Sequence, residues 1–203
     1  AGGPTAAVAS PGGPVATPRL AVTAGIDPPG LLELASGGAL PAAGFPMKRV
    51  PGFLLESAPV ALAPRVDLVL WSPDPAGIHL RQTAAGGLLL GADDLDALVG
   101  KGGDPAAIAE ARRLLWRRAR DWLPALAVAD LDAGAAWRIG RRAMPADGHS
   151  IVGPLAAVPG LAVAVTHSGV TLAPWIGALL AGELAGGPPA PELAAFRPAR
   201  FGL

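Results

Sequence analysis

The stretch that decides the fold of this 203-residue chain is WRIGRRAMPADGHSIVGPLAAVPGLAVAVTHSGVTLAPWIG, residues 137–177. A β-compatible run from about Ala135 to Arg142 is followed by a loop rich in glycine and proline. A second apolar run, Leu161 to Thr166, leads into a compact turn at 167–169 and then into a helix from about Pro174 to Ala185. The stretch therefore predicts strand, loop, strand, turn and helix in that order.

The turn between the second strand and the helix brings unpaired backbone N–H groups together. A helix leaves its first four N–H groups unpaired and carries a partial positive charge at that end. Residues Gly169 to Leu172 therefore form a nest that favours negative charge on a bound group. Gly169 lets such a group approach the backbone closely, while Ser168 and Thr171 offer hydroxyls. An ordinary strand, turn and helix, capped by Ser168 or Thr171, is the alternative interpretation.

Upstream, short β-compatible runs separated by proline, glycine and aspartate predict an antiparallel meander. The last two runs form the clearest hairpin, joined by Ala84 to Gly86. Side-chain alternation places His79 and Arg81 on one strand face, opposite Ile78 and Leu80. The four runs are Phe45 to Glu56, Val66 to Trp71, Ile78 to Thr83 and Leu88 to Ala92.

A short strand and a short helix are predicted near the start of the chain. The strand runs from Arg19 to Thr23 and ends in a tight turn at Ala24 and Gly25. The helix then opens with Asp27 as N-cap and Pro28 at its first position. Gly37 and Gly38 are expected to stop it.

The strongest helix signal runs from Asp104 to Trp122, with Asp104 as the cap and Pro105 at the first position. Its other faces carry arginines interleaved with acidic residues, which indicates a solvated surface. Strands interleaved with only a few helices predict an α+β, or mixed α/β, fold. The apolar stripe of the helix consists of Ile108, Ala111, Leu115, Ala119 and Trp122.

Composition argues against several classes of function. Sixteen Lys and Arg balance sixteen Asp and Glu, so no global field attracts nucleic acid or an anionic membrane. Cysteine is absent, which removes disulfides, thiol nucleophiles and cysteine-ligated metals. No pair of histidines has metal-ligand spacing. The most apolar segment, Leu172 to Leu184, contains Glu183 and is too short to span a bilayer. We predict a soluble, cytoplasmic protein with no metal site.

Three linked motifs resemble the C-terminal signature of FAD-dependent oxidoreductases of the D-amino-acid oxidase, glycine oxidase and sarcosine oxidase family. The family pattern is roughly G-x-R-P, then P-x-D-G-x-P-x-x-G, then a strand and G-H-x-G-x-T-x-x-P. This chain has GRRA, PADGHSIVG and THSGVTLAP in the same order. Weaker similarity extends from Ala24 and Gly25 through KRVPGFLLES and the predicted hairpin to the FRPARF tail. The resemblance therefore covers most of the chain.

The resemblance implies FAD as the cofactor and a small amine or amino acid as the substrate. It implies that the turn before the last helix faces the flavin edge where negative charge builds on reduction. His167 is expected to position this turn rather than act as a general base. The cofactor-binding residues expected on this basis are Gly25, His167, Ser168, Gly169, Val170, Thr171 and Leu172.

The resemblance also assigns substrate residues. Arg142 matches the family arginine that binds the substrate carboxylate, and its guanidinium fork can donate two parallel hydrogen bonds. Arg138 and Arg141 are the alternatives for this role. For each of the three arginines, a surface salt bridge without a role in substrate binding is the competing interpretation. His79 and Arg81 are expected to line the wall of the substrate pocket, although a lone histidine more often satisfies a local hydrogen bond.

The chain departs from the family pattern at Ala143 and Ser150, which replace prolines, and at Thr166, which replaces a glycine. It contains no tyrosine, so tyrosine-assisted carboxylate binding cannot come from it, and the substrate stays open. No strand followed by G-x-G-x-x-G is found, although that motif holds the ADP half of FAD in this family. A truncated sequence, an anchor on a partner chain and a degenerate remnant are the three explanations.

Two functions therefore compete. The chain is part of an FAD-dependent dehydrogenase or oxidase, or it is a repurposed non-catalytic domain that acts as a partner subunit or ligand-binding module. The expected partners are a small amine or amino acid as substrate and, if the ADP half of FAD is bound by another protein, a chain with the dinucleotide-binding fold. The predicted domains are a flexible leader at 1–18, a remnant of the FAD-binding domain at 19–38, a substrate-binding domain at 39–136 and a C-terminal FAD-binding portion at 137–203.

Overall fold

The computed structural model of the chain describes residues 6–8, 10–62, 64–74, 77–100, 102–127 and 130–203. The chain divides into two compact units. Unit 1 comprises Ala1–Arg49 with Arg142–Leu203, and unit 2 comprises Val50–Arg141.

The described residues form ten strands, four α-helices and four short 3₁₀ helices. The strands are β1 (Ala6–Val8), β2 (Val15–Thr17), β3 (Leu20–Val22), β4 (Met47–Pro59), β5 (Leu70–Trp71), β6 (His79–Gln82), β7 (Gly87–Gly91), β8 (Ala136–Pro145), β9 (Ile151–Pro154) and β10 (Leu161–Val165). The α-helices are α1 (Pro28–Ala35), α2 (Asp93–Val99), α3 (Pro105–Trp122) and α4 (Gly169–Leu184). The 3₁₀ helices are Ala42–Gly44, Pro124–Leu126, Pro191–Phe196 and Pro198–Phe201.

Unit 1 is built on a three-stranded sheet in the order β3, β10, β9. β10 pairs parallel with β3 and antiparallel with β9. Alternate residues of β10 point to opposite faces, so Val163 packs in a core with Leu32 of α1, while Ala162 packs in a core with Ile176 and Leu180 of α4. Helices on both faces of the sheet give this unit three layers.

The turn after β3 and the start of α1 follow the predicted pattern, with one correction. Gly25 has φ +60°, and the N–H of Asp27 donates to the carbonyl of Ala24 at 3.1 Å. Asp27 occupies the N-cap position, but its side chain makes no capping hydrogen bond. Its carboxylate lies 3.9 Å from the guanidinium of Arg49 instead. Pro28 at the first position is therefore the residue that marks the start of the helix. The N–H group at this position has no partner within the helix, so proline loses no hydrogen bond there.

Helix α4 begins at Gly169, earlier than predicted. The prediction of a start near Pro174 was wrong, because Pro174 lies inside the helix rather than at its first position. Its missing N–H leaves the carbonyl of Val170 without the usual helical donor. The earlier start places Thr171 and Leu172 in the first turn, where their N–H groups donate to the carbonyl of Ser168 at 3.1 and 2.9 Å.

Unit 2 contains a sheet in the order β5, β6, β7, β4, β8. The predicted hairpin is confirmed as β6 and β7, whose register pairs His79 with Gly91. The meander is confirmed only for β5, β6 and β7, because β4 lies beyond β7 rather than beside β5. The segment between β4 and β5 is long enough to make this crossover. The α+β class with an antiparallel sheet is confirmed.

Helix α3 confirms the strongest helix prediction. The Asp104 carboxylate accepts a hydrogen bond from the N–H of Ala107 at 3.0 Å and caps the helix. Trp122, placed on the apolar stripe from the sequence, is 37% exposed, whereas Trp116 is 4% exposed. Trp116 packs in the unit 2 core, and its indole N–H is satisfied by donation to Asp132 at 2.7 Å. The other stripe residues are buried in the unit 2 core, namely Ile108, Ala111, Leu115 and Ala119.

Besides the 3₁₀ helices, three parts of the fold were not predicted, namely one pair of strands, one single strand and one helix. β1 and β2 pair antiparallel within the segment expected to be a flexible leader; residues 1–5 and 9 of that segment lie outside the described residues. β9 lies where a loop was expected. α2 follows β7, and its buried Asp96 accepts a hydrogen bond from the N–H of Phe53 at 2.6 Å. All three are short, so the sequence offers little periodicity to reveal them.

Gly87 shows how closely β7 approaches β4. A Cβ atom at this position would lie 2.5 Å from the carbonyl oxygen of Ser57, beside the irregular register between Glu56 and Pro59. We expect Gly87→Ala to lower the free energy of unfolding of unit 2 by about 1–3 kcal/mol, because backbone must move. Urea denaturation measures the change. Gly30→Ala in α1, where nothing lies within 4 Å, is the control; an equal loss there would contradict the explanation.

Candidate functional site

A cleft of about 240 Å³ opens in unit 1 at the turn between β10 and α4. Its lining combines polar and apolar residues, the composition expected of a small-molecule site. The polar part of the lining consists of Gly148, His149, Ser150, Thr166, His167 and Ser168, and the apolar part of Val152, Leu172, Trp175, Ile176, Leu193 and Phe196.

The N-terminus of α4 borders this cleft. Ser168 occupies the N-cap position, but its hydroxyl makes no capping hydrogen bond. Because the N–H groups of Thr171 and Leu172 donate to the Ser168 carbonyl, the partial positive charge at this helix end lies mainly at Gly169 and Val170. This is the geometry that favours a partially negative group in the cleft.

Thr166 organises the turn in place of a cap. Its hydroxyl oxygen accepts hydrogen bonds from the Ser150 hydroxyl at 2.9 Å and from the Ser168 N–H at 3.3 Å. Ser150 and Thr166 are two of the three departures from the family signature. They contact each other, so the two polar replacements form one hydrogen-bonded link between the loop before β9 and the turn before α4.

The loop at Asp147 is held by charge. Asp147 Oδ1 accepts the His149 N–H at 3.0 Å, a turn that aspartate commonly forms. The guanidinium of Arg200 donates to both carboxylate oxygens, at 2.7 and 3.1 Å. Hydrogen bonds from Arg200, aided by the His149 N–H, lower the pKa of Asp147 to about 2, although burial opposes the shift. The carboxylate is therefore ionised throughout the physiological range.

The C-terminal tail, residues 191–203, supplies part of the cleft wall through Leu193 and Phe196. It is anchored to α4 by Arg197, which donates to both oxygens of Glu183 at 2.9 and 2.5 Å. Gly153 makes room for this arginine, since a Cβ there would lie 2.8 Å from its guanidinium. Sequence reasoning missed these residues; the charged FRPARF tail was their only signal.

The predicted cofactor residues fall into two groups within unit 1. His167, Ser168 and Leu172 line the cleft. The others lie on adjoining backbone rather than in its wall: Gly169, Val170 and Thr171 in the first turn of α4, and Gly25 in the turn after β3.

The predicted substrate residues lie on strands. Arg142, in the part of β8 that belongs to unit 1, is half-buried, and Arg141 beside it is exposed. Arg138 lies 3.3 Å from Glu56, which supports the surface salt-bridge interpretation for that arginine.

His79 and Arg81 belong to unit 2 and alternate with buried Leu80 and Gln82, as the strand pattern predicted. The imidazole of His79 lies over Gly91 of the neighbouring strand, where a Cβ atom would approach its Nε2 to 2.4 Å. This contact gives the histidine a packing role within the sheet. Its role towards substrate stays a prediction.

The cleft residues suit part of a flavin. The apolar part of the lining can contact a planar ring, and the uncapped helix end can donate to an oxygen or nitrogen that carries negative charge. About 240 Å³ is less than the roughly 300–1,000 Å³ typical of sites that enclose a drug-sized ligand. The cleft is therefore too small to enclose the whole dinucleotide. Within the described ranges, no group of three or more acidic or histidine side chains is placed to hold a metal ion.

None of the helices in the described part of the chain combines the length and the hydropathy needed to cross a bilayer.

Comparisons with known proteins agree with this geometry. The chain is similar in fold to L-amino acid deaminase from Proteus myxofaciens in complex with anthranilate, with a TM-score of 0.69 and 18% identity over 100% of this chain and 54% of that one. It is similar to L-proline dehydrogenase from P. horikoshii, with a TM-score of 0.67 and 18% identity over 96% of this chain and 50% of the other. It is also similar to glycine oxidase from Geobacillus kaustophilus, with a TM-score of 0.62 and 20% identity over 94% of this chain and 48% of the other.

The chain spans about half the length of these solved structures. No curated protein matches it. The model of the DAO family, described as FAD dependent oxidoreductase, matches residues 2–183. Since this match covers most of the sequence, the chain belongs to the DAO family of FAD-dependent oxidoreductases, whose cofactor is FAD.

Proposed function

We propose that this chain forms the substrate-side portion of an oxidoreductase that oxidises a small amine or amino acid. The observation that carries the proposal is the cleft at the uncapped N-terminus of α4. The structural neighbours named as glycine oxidase, L-proline dehydrogenase and L-amino acid deaminase support the substrate class. FAD, when bound, supplies the acceptor for a hydride from the substrate α-carbon. The cytoplasmic location stays a prediction.

In this proposal the turn before α4 orients the ring and stabilises negative charge on it. The N–H groups of Gly169 and Val170 belong to the first helical turn and bring the positive end of the helix dipole to the cleft. Ser168, whose hydroxyl makes no capping bond, can donate to the same group. His167 holds the turn between β10 and α4, and Trp175 covers the ring from the apolar part of the lining.

Arg142 binds the substrate carboxylate in this proposal. A carboxylate bound by a planar guanidinium is held by two parallel hydrogen bonds, which fix the orientation of the substrate. His79 and Arg81 remain candidates for contacts with the rest of the substrate.

The ADP half of FAD needs a site outside the cleft, and we propose that a dinucleotide-binding fold supplies it. Two surfaces of unit 1 support this. Helix α4 carries no charged residue before Glu183, yet Val170 is 99% and Trp175 is 48% exposed on it; a helix apolar on all sides is usually buried. β3 is an edge strand with a parallel neighbour on one side, and parallel sheets are usually extended and covered.

The second candidate function is a non-catalytic partner subunit or ligand-binding module. The absence of G-x-G-x-x-G from the 203 residues favours it. The visible spectrum of the purified chain, alone and with added FAD, separates the two. A protein that binds flavin and shows its absorbance supports the oxidoreductase, whereas a protein that stays colourless even when a chain with the dinucleotide-binding fold is supplied supports the module.

Trp175 tests where the flavin binds. We expect Trp175→Ala to weaken FAD binding about tenfold, because an aromatic contact contributes on the order of 1 kcal/mol beyond the area it buries. Quenching of flavin fluorescence during titration measures the affinity. Trp71→Ala is the matched control, since Trp71 is 65% exposed on β5 in unit 2. Equal losses in both variants, or none in either, would remove the cleft as the flavin site.

A further inference from the structure

Arg200 makes a concentrated set of hydrogen bonds close to the cleft. Besides the two bonds to Asp147, it donates to the carbonyl of His149 at 2.9 Å and to the carbonyl of Arg197 at 3.2 Å. Its guanidinium also lies 4.5 Å from the ring centre of Phe201. The Arg200 side chain therefore joins the tail to Asp147 and to His149 in the 147–149 loop.

The loop passes this constraint on to the turn before α4. Asp147 fixes the His149 N–H, and His149 and Ser150 both line the cleft. The Ser150 hydroxyl donates to Thr166, which in turn accepts the Ser168 N–H. A path of hydrogen bonds and backbone thus runs from Arg200 through the loop to Ser168, the N-cap of α4, which lines the cleft.

The tail itself is held independently of Arg200. Arg197 pairs with Glu183, whose Oε1 also accepts the Ala190 N–H at 2.6 Å. Leu193 is fully buried against α4 and β9. Arg200 can therefore be changed while the tail stays anchored, which separates its effect on the loop from loss of the tail.

We propose that Arg200 is a positioning residue for the cofactor cleft: it sets the 147–150 loop and, through Ser150 and Thr166, the turn that faces the flavin. The proposal rests on the proposed function, in which the flavin ring binds in this cleft. Arg200 lies outside the residues matched by the family model, 2–183. Arginine suits the role because its planar fork spans both carboxylate oxygens and a carbonyl at once, whereas lysine is a single point charge.

Two measurements on the full chain test the proposal, one of which needs no flavin. Amide hydrogen exchange reports opening of the loop and the turn, and FAD titration reports the cleft. We expect Arg200→Gln to raise exchange at residues 148–150 and 168–169 about tenfold or more, and to weaken FAD binding by a similar factor, because charge-assisted hydrogen bonds are lost. Arg200→Lys should recover part of both effects.

Arg113→Gln is the matched control. Arg113 also donates to both oxygens of one carboxylate, that of Glu110, at 2.7 and 2.6 Å, but it lies in unit 2. It should change neither measurement. If Arg200→Gln does not fold, Asp147→Asn removes the charge of the pair while keeping an oxygen for the His149 N–H, and it should give the same pattern.

The outcomes separate the two proposals. Unchanged exchange in the loop after loss of Arg200 would overturn its positioning role whatever the flavin does. Faster exchange with unchanged FAD affinity would show that the loop does not shape the cofactor site, which also overturns it. If the unchanged chain never binds FAD, even with a chain that carries the dinucleotide-binding fold, the proposed function fails and the cofactor role of Arg200 fails with it. Hydrogen exchange still decides whether Arg200 orders the loop.

Discussion

Replacement of Glu183 by alanine is expected to lower the free energy of unfolding of unit 1 by about 3 kcal/mol, near the low end of the 3–5 kcal/mol typical of a broken buried pair. The side chains of Glu183 and Arg197 are only 11% and 19% exposed. Loss of the carboxylate would leave the guanidinium of Arg197 with its bond to the Ala190 carbonyl at 3.3 Å, and the N–H of Ala190 without its acceptor. The cost is therefore mainly that of unpaired, partly buried donors.

Urea denaturation of three variants separates this explanation from simple loss of packing. Glu183→Ala should be strongly destabilised, whereas the double variant Glu183→Met with Arg197→Met should recover much of the loss, because an apolar pair leaves no buried charge. Glu110→Ala is the control, since its pair with Arg113 is exposed and exposed pairs contribute little. Equal destabilisation of the single and double variants would contradict the explanation.

The same pair predicts a pH dependence with a definite sign. Hydrogen bonds from Arg197, with help from Ala190, hold the pKa of Glu183 below its ordinary value, although burial raises it. A carboxyl whose pKa falls on folding stabilises the protein above its unfolded pKa of about 4.3. That stability is lost as the pH falls through the lower folded value. Glu183→Gln should therefore show a shallower loss of stability below about pH 4 than the unchanged chain.

The elements that the sequence predicted well are those with local signals. The hairpin of β6 and β7 has alternating side chains and a glycine turn, and α3 has Asp104, Pro105 and a long apolar stripe. Each of these features acts within a few residues, so no knowledge of the rest of the fold is needed. The antiparallel order was less predictable, because the choice of β7 as the partner of β4 depends on a crossover.

The start of α4 shows how a strong local rule can mislead. Proline at the first position of a helix is common, so Pro174 was taken as the start. The structure places it inside the helix, and the start lies at Gly169. The difference matters for the site, because it moves Thr171 and Leu172 from a loop into the first helical turn. The motif identified the right segment, while the backbone geometry of that segment came only from the structure.

The candidate cleft could be predicted only in part. The turn at 167–172 was found because its residues form a contiguous motif. Arg200 and Asp147 are 53 residues apart, and Glu183 and Arg197 are 14 apart, so no local pattern connects them. Trp175 and Phe196 line the cleft as side chains of a helix and a tail. Whether they line the cleft depends on how the tail packs against α4. The hydrophobic periodicity of the sequence does not predict that packing.

Loss of the Arg142 guanidinium is expected to have the largest effect on activity. In flavin-loaded protein, Arg142→Met should raise the KM for an amino acid about a hundredfold, because two hydrogen bonds to a charged group contribute roughly 1.5–3 kcal/mol each. Flavin absorbance should stay unchanged, since the contact proposed for this arginine is with the substrate rather than with the ring. Steady-state kinetics with spectra of the same samples measure both quantities.

Neighbouring arginines provide the controls. Arg141→Met removes the adjacent, exposed arginine, and Arg138→Met removes the one paired with Glu56 at 3.3 Å. Neither should change KM by more than a few-fold. Arg142→Lys should recover only part of the affinity, because an ammonium cannot reproduce the two parallel bonds. A large effect in Arg138→Met or Arg141→Met with none in Arg142→Met would transfer the role to that neighbour.

The substrate itself supplies the sharpest control. An amine that lacks the carboxylate but is otherwise the same as the amino acid gives Arg142 nothing to bind. The unchanged protein should discriminate between the two, whereas Arg142→Met should treat them nearly alike. If the variant keeps its preference for the amino acid, another group binds the carboxylate. If neither form shows a preference, the substrate is an amine, and the arginine has no carboxylate to hold.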